Sequence, residues 1–209
     1  MANNNLKTLQ ISIIGEPNVG KSTLLNMIMD KKYSIVTRKA NTTLKKNSVV
    51  LKKADKQIIF IDTPGIKPYK SNLNREIFKE ASNAALEADL ILLLINLHKD
   101  SLYKIDKIVN YIKRLEKDFI IVLNKIDLIN NKNFIKKVSK IKKGNPLSLF
   151  FSISAKKNLG IKELKNYIFK NYSFYDKKAI SNLDLSKDSF YIKEIVREKI
   201  LENIHDEIP

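Results

Sequence analysis

Leu9-Gln10-Ile11-Ser12-Ile13-Ile14-Gly15-Glu16-Pro17-Asn18-Val19-Gly20-Lys21-Ser22-Thr23 joins an apolar run to a glycine-bounded loop and then to helix-forming sequence. An apolar run of this length ending at glycine reads as a buried strand. From Lys21 to Met29 the residues favour helix, with Leu24, Leu25 and Ile28 on one face. Gly15 to Ser22 fits G-x-x-x-x-G-K-[ST] between that strand and that helix, the context a P-loop needs. Gly15 and Gly20 let the backbone, with Glu16, Pro17, Asn18 and Val19, close around phosphate oxygens. The helix start at Lys21, Ser22 and Thr23 adds N–H groups and a favourable dipole. Lys21 is expected to neutralise the β- and γ-phosphates, and the Ser22 hydroxyl to ligate Mg²⁺.

Three further segments follow in order: Asp62-Thr63-Pro64-Gly65, Asn124-Lys125-Ile126-Asp127 and Ile153-Ser154-Ala155. Each follows a predicted strand. Val49 to Leu51 and Gln57 to Ile61 read as a hairpin across the polar turn Lys52 to Lys56. Leu90 to Ile95, Phe119 to Leu123 and Leu149 to Ile153 read as buried strands. Helical spacing is expected over Asn74 to Ala88, through Ile105, Ile108, Val109 and Ile112, and over Asn133 to Lys142 and Ile161 to Asn171. Six strands alternating with helices predict an α/β P-loop fold, with a mostly parallel sheet covered on both faces. Such sheets bind ligands outside the carboxyl ends of their strands, where all four segments lie.

The chemistry of the later segments specifies the ligand. Asp62 is expected to hold Mg²⁺ through water, with Thr63 and Pro64 turning the chain so that the Gly65 N–H meets the γ-phosphate. The Asp127 carboxylate can accept hydrogen bonds from guanine's ring N–H and its exocyclic amine. Adenine offers neither donor there, and a site built for a specific hydrogen bond rejects the analogue by on the order of 10⁴ to 10⁵. The predicted ligands are therefore GTP and GDP. Asn124 would brace the loop, Lys125 cover the base, Ala155 donate its N–H to the guanine carbonyl oxygen, and Ser154 fix that loop. Thr42 and Thr43 lie in the loop predicted over Asp30 to Asn41 and beyond, and one of them, by preference Thr43, would complete the Mg²⁺ shell. Lys21, Thr43 and Gly65 are the expected catalytic groups.

Ile66, after Gly65, cannot orient a water molecule as a glutamine could, and Arg38 is the sole arginine in the first loop. Slow intrinsic hydrolysis is expected, because an arginine finger can be worth ~10³ to 10⁵. The Asn18 side chain could help to coordinate K⁺ beside the phosphates instead.

At 209 residues the chain suits one domain with a short appendage. It has no cysteine, so disulfides and cysteine metal sites are excluded, in keeping with a reducing cytosol. Its start lacks the layout of a secretory signal. Its longest apolar run, Leu90 to Ile95, is far short of the ~20 residues that span a bilayer, so a soluble cytoplasmic protein is expected. Residues 1–173 carry 33 Lys+Arg against 14 Asp+Glu, whereas 174–209 carry 6 against 8. The excess fits attraction to RNA. It equally fits biased coding, since Lys, Ile and Asn supply 87 of 209 residues and Arg only four. A G domain is expected over 1–172, a linker over 173–188, and over 189–209 a helix with Ile192, Ile195, Val196, Ile200 and Ile204 on one face.

Gly15 to Thr23, Asn41-Thr42-Thr43 and Asp62-Thr63-Pro64-Gly65-Ile66 resemble the Era family of ribosome-assembly GTPases, of the TrmE-Era-EngA group, and the likeness covers nearly the whole chain. Glu194 to Ile200 and Asp206 to Pro209 resemble the first helix of that family's RNA-binding KH domain. Where the family has Arg-His after the paired threonines, this chain has Leu44-Lys45. A KH domain clamps RNA with a Gly-x-x-Gly loop. No such loop occurs among the glycines at 15, 20, 65, 144 and 160, so the KH segment is expected to be truncated. The resemblance implies GTP hydrolysis and binding to the small ribosomal subunit and its 16S rRNA during maturation. It also implies peripheral association with the inner face of the cell membrane, and a monomer is expected. The alternative is a guanine-nucleotide module that has lost RNA binding.

Overall fold

The computed structural model describes residues 7–29, 47–62 and 82–175. The expectations for Arg38, Thr42, Thr43, Thr63, Pro64, Gly65, Ile66 and the segments from 176 onward lie outside the described residues.

Its six strands are β1 (Lys7–Gly15), β2 (Asn47–Lys53), β3 (Lys56–Asp62), β4 (Leu90–Asn96), β5 (Phe119–Asn124) and β6 (Leu149–Ser152). The helices are α1 (Lys21–Met29), α2 (residues 82–87 of the described chain), α3 (Leu102–Lys113), α4 (Asn131–Gly144) and α5 (Ile161–Asn171). One sheet runs β2-β3-β1-β4-β5-β6, and among the strands of the described residues only the β2–β3 pair is antiparallel. Parallel strands covered on both faces need apolar side chains at every position, which is why Leu90 to Ile95 shows no alternation. Leu92 and Leu94 pack with Ile11, Ile13, Ile120 and Val122 beneath α1 and α5. Ile91, Leu93 and Ile95 pack with Ile121 and Leu123 beneath α3 and Ile141 of α4. Because β1 lies between β3 and β4, the winding reverses there, and the loop leaving β1 sits at the switch point where such folds bind ligands.

Two details depart from expectation. The five-residue turn Lys52 to Lys56 shrinks to Ala54 and Asp55, since Lys53 pairs with Lys56 and Lys52 with Gln57. β2 is an edge strand, where exposed lysines are compatible with pairing. At the other end, the expected linker starting at Ser173 is still tied to the sheet. Thr8 and Tyr175 exchange backbone hydrogen bonds of 2.8 and 3.0 Å, and Phe174 stacks on Phe169 at 5.6 Å. Among the described residues no helix is long and apolar enough to cross a membrane.

Candidate active site

The loop from Gly15 to Gly20 can lie where it does only because its ends lack side chains. A Cβ on Gly15 would stand 2.5 Å from the Leu94 carbonyl oxygen, on the neighbouring strand. A Cβ on Gly20 would stand 2.4 Å from Asn124 Nδ2, and Gly20 has φ of +104°, which side chains rarely adopt. Asn18 takes φ of 63°, a region asparagine tolerates better than most residues. Lys21 is 7% exposed, and its Nζ donates to the carbonyls of Gly15 at 3.2 Å and Glu16 at 3.1 Å. An ammonium is thus held across a loop that opens onto the first turn of α1. That combination of buried cation, close-approaching backbone and helix start is a fit for a phosphate chain. Ser22 follows in the same turn, and Asp62 ends β3 level with Ile13 of β1. The Ser22 hydroxyl beside a phosphate cradle is a hard-oxygen donor of the kind that suits Mg²⁺.

Asn124 is the junction of the site. It is 2% exposed, and its amide donates to the Val19 carbonyl at 2.8 Å. Its Oδ1 accepts from the backbone N–H of Lys125 at 2.8 Å and of Ala155 at 3.0 Å. One side chain therefore ties together the loops after β1, β5 and β6. The Ala155 N–H, expected to await a purine carbonyl oxygen, is instead donated to Asn124 in this arrangement. Asp127 lies in a 3-10 turn over Ile126–Leu128, and the Ser154 hydroxyl donates to its Oδ1 at 2.6 Å. Ser154 also accepts from the Lys157 N–H at 3.2 Å, so it orients the carboxylate from a loop that is itself closed. Lys125, at φ of 66°, reaches back to donate to the Asn18 carbonyl at 2.6 Å. Burial pushes its ammonium below the usual lysine range and Lys99 adds repulsion, partly offset by Asp100 and Asp127. The described site thus gathers Gly15 to Thr23, Asn124, Lys125, Asp127, Ser154 and Ala155 at the carboxyl ends of the strands.

Sequence reasoning missed the surroundings of Glu16. Lys104 of α3 pairs with the Glu16 carboxylate and lies 3.5 Å from Asp100. Asp100 in turn accepts from the Asn96 N–H at 2.8 Å, at the end of β4. Only the Asp100/Lys104 spacing of four was visible in the chain, and it says nothing about Glu16. Burial alone would lower the Lys104 ammonium, but Glu16 and Asp100 outweigh it and raise its pKa. A carboxylate inside a phosphate-cradling loop repels a triphosphate unless it is compensated. Lys104→Met is therefore expected to weaken GTP binding by up to about fivefold, the scale of a partly exposed ion pair. Adding Glu16→Gln should restore it; a double variant no better than Lys104→Met would remove Lys104 from this role.

Comparison with known proteins agrees with this geometry. Residues 10–125 match the family model described as 50S ribosome-binding GTPase. The chain is 34% identical over 203 residues to GTPase Era of Staphylococcus epidermidis, covering 95% of this chain and 67% of that protein. It is similar in structure to Era in complex with MgGDPNP and nucleotides 1506–1542 of 16S ribosomal RNA, with a TM-score of 0.83 and 36% identity over 98% of this chain and 70% of that one. It is also similar to a variant of Aquifex aeolicus Era bound to GDP·AlF4⁻, with a TM-score of 0.81 and 36% identity over 97% of this chain and 70% of that one.

Proposed function

The chain belongs to the Era family of GTPases, and on that premise we propose that it serves in maturation of the small ribosomal subunit, binding 16S rRNA in its GTP state and releasing it after hydrolysis. The observation that carries the enzymatic part is the Asn124 junction, which holds the phosphate loop and the base-reading loop in one frame. Likeness to an Era bound to 16S rRNA supports the ribosomal part. The cytoplasm is its setting in this reading.

The residues divide the work as follows. Asp127, aimed by Ser154, accepts from guanine's N1–H and amine, while Lys125 covers the base. Backbone N–H groups of Gly15 to Ser22 surround the phosphates, and Lys21 exchanges its carbonyl partners for β- and γ-phosphate oxygens. Mg²⁺, when bound, offsets charge on those oxygens; Ser22, Asp62 and one of Thr42 and Thr43 would hold it. Gly65 would donate its N–H to the γ-phosphate, so that loss of this group is felt by the chain around it. Catalysis is then positioning and charge stabilisation, since the phosphoryl group needs little covalent help.

Asn18 stands exposed at the lip of the phosphate loop, where its side chain would ligate K⁺ in place of an arginine. Replacing KCl with NaCl is expected to lower kcat by at least about tenfold, a part of the ~10³ to 10⁵ an arginine finger supplies. Asn18→Ala should abolish the difference, and a rate indifferent to the cation removes K⁺ from the account. Filter binding tests the ribosomal part: the 3′ segment of 16S rRNA should be retained with a GTP analogue and released with GDP. Equal retention in both states at low salt would overturn it.

A further inference from the structure

Helix α4 carries Lys132, Lys136, Lys137, Lys140, Lys142 and Lys143 within fourteen residues and no acidic residue. Beside it lies a cavity of about 500 Å³ that the GTP-binding residues do not line. Leu102, Leu128 and Ile129 line it together with Lys136, Lys140 and His98. Leu128 is 53% exposed, an apolar group left open to water beside cations. Lys137 belongs to the frame: its Nζ donates to the Leu97 carbonyl at 2.6 Å and ties α4 to the end of β4. Of the nearby acids, Asp100 also acts on Lys137. Asp100 serves the Asn96 N–H and Lys104, and Asp127 accepts from Ser154.

We propose that α4 and this cavity bind single-stranded RNA, the lysines taking its phosphates and the apolar lining residues seating one unpaired base. A nucleotide has both faces this surface offers partners for: a flat apolar ring and an anionic backbone. The volume lies in the ~300–1,000 Å³ range of sites that bury small ligands. Exposed His98 adds a ring against which a base can stack, as in single-strand binders generally. A bilayer fits less well, because a membrane-lying helix buries its own apolar face in lipid, whereas Phe134, Val138 and Ile141 of α4 are packed into the core. The contact is sequence-tolerant and needs neither GTP nor a KH loop, so it does not depend on the ribosomal reading above.

The test is fluorescence anisotropy of a labelled oligouridine with the full chain, as wild type, Lys136→Glu/Lys140→Glu and Leu128→Asp, across a salt series. The charge reversal is expected to weaken binding at least tenfold. It should also flatten the plot of log K against log salt by about 1.4, two contacts at about 0.7 each for single strands. Leu128→Asp should weaken oligouridine binding while sparing duplex RNA, and GTP affinity should be unchanged in the Lys136→Glu/Lys140→Glu variant. Unaltered oligouridine affinity and salt slope would overturn the proposal. So would a loss confined to vesicles of phosphatidylserine, which would assign the surface to membranes. GTP-dependent retention of the 16S segment, measured on the same samples, fails or survives separately.

Discussion

Asn124→Ala is expected to cost about 3–5 kcal/mol of stability and to lower the melting temperature by roughly 6–15 °C, with GTP binding lost alongside. The side chain is 2% exposed, and its removal orphans the Val19 carbonyl and the N–H groups of Lys125 and Ala155. A buried polar group left without a partner costs about 1–3 kcal/mol, and three in contact do not add fully. Asn124→Asp separates the terms. It keeps an acceptor for the two N–H groups but sets a carboxylate oxygen against the Val19 carbonyl, so the phosphate loop is repelled while the other two loops stay joined. Its melting point should fall between alanine and wild type, with GTP affinity as poor as in the alanine variant. Thermal unfolding checks both; an alanine variant within about 2 °C of wild type would contradict the junction.

Asp127→Asn is expected to weaken GTP binding on the order of 10²–10⁴-fold and to confer binding of xanthosine triphosphate. Two charge-assisted hydrogen bonds at about 1.5–3 kcal/mol each set the size of the loss. Guanine presents two donors, the ring N–H and the amine, which a carboxylate matches with two acceptors. Xanthine has a carbonyl where guanine has the amine, and a carboxamide offers the acceptor and donor that this edge requires. Ser154, now 2.6 Å from the Asp127 carboxylate, can donate equally well to the carboxamide oxygen, so the loop should keep its shape. Competition against a fluorescent GTP analogue measures both arms. A variant that keeps GTP affinity within severalfold and ignores the xanthine nucleotide would show that Asp127 does not read the base.

What could be read in the chain was local. Lys21–Met29 and Ile161–Asn171 were legible to the residue, because Gly20 and Gly160 mark their starts and the apolar faces recur at helical spacing. The glycines at 15 and 20 were legible because close backbone approach leaves few other choices. What escaped depends on contacts distant in sequence. The Asn124 amide meets Val19 across 105 positions, and nothing near either residue announces the pairing. Glu16 was read only for its backbone in the phosphate loop, and its side-chain partner Lys104 of α3 was not visible in the chain. The Ala155 N–H was assigned to a ligand because its position after β6 was visible while Asn124's claim on it was not. Strand β2 was read short because Lys52 and Lys53 look like turn residues, yet an edge strand accepts them.

Titration calorimetry of the purified protein with GTP and with ATP, in Mg²⁺, addresses the central claim that Asp127 selects guanine while Lys21 grips the triphosphate. Binding of GTP with an affinity exceeding that for ATP by on the order of 10⁴ is the predicted result. Equal affinity for the two, or heat from neither, would contradict it.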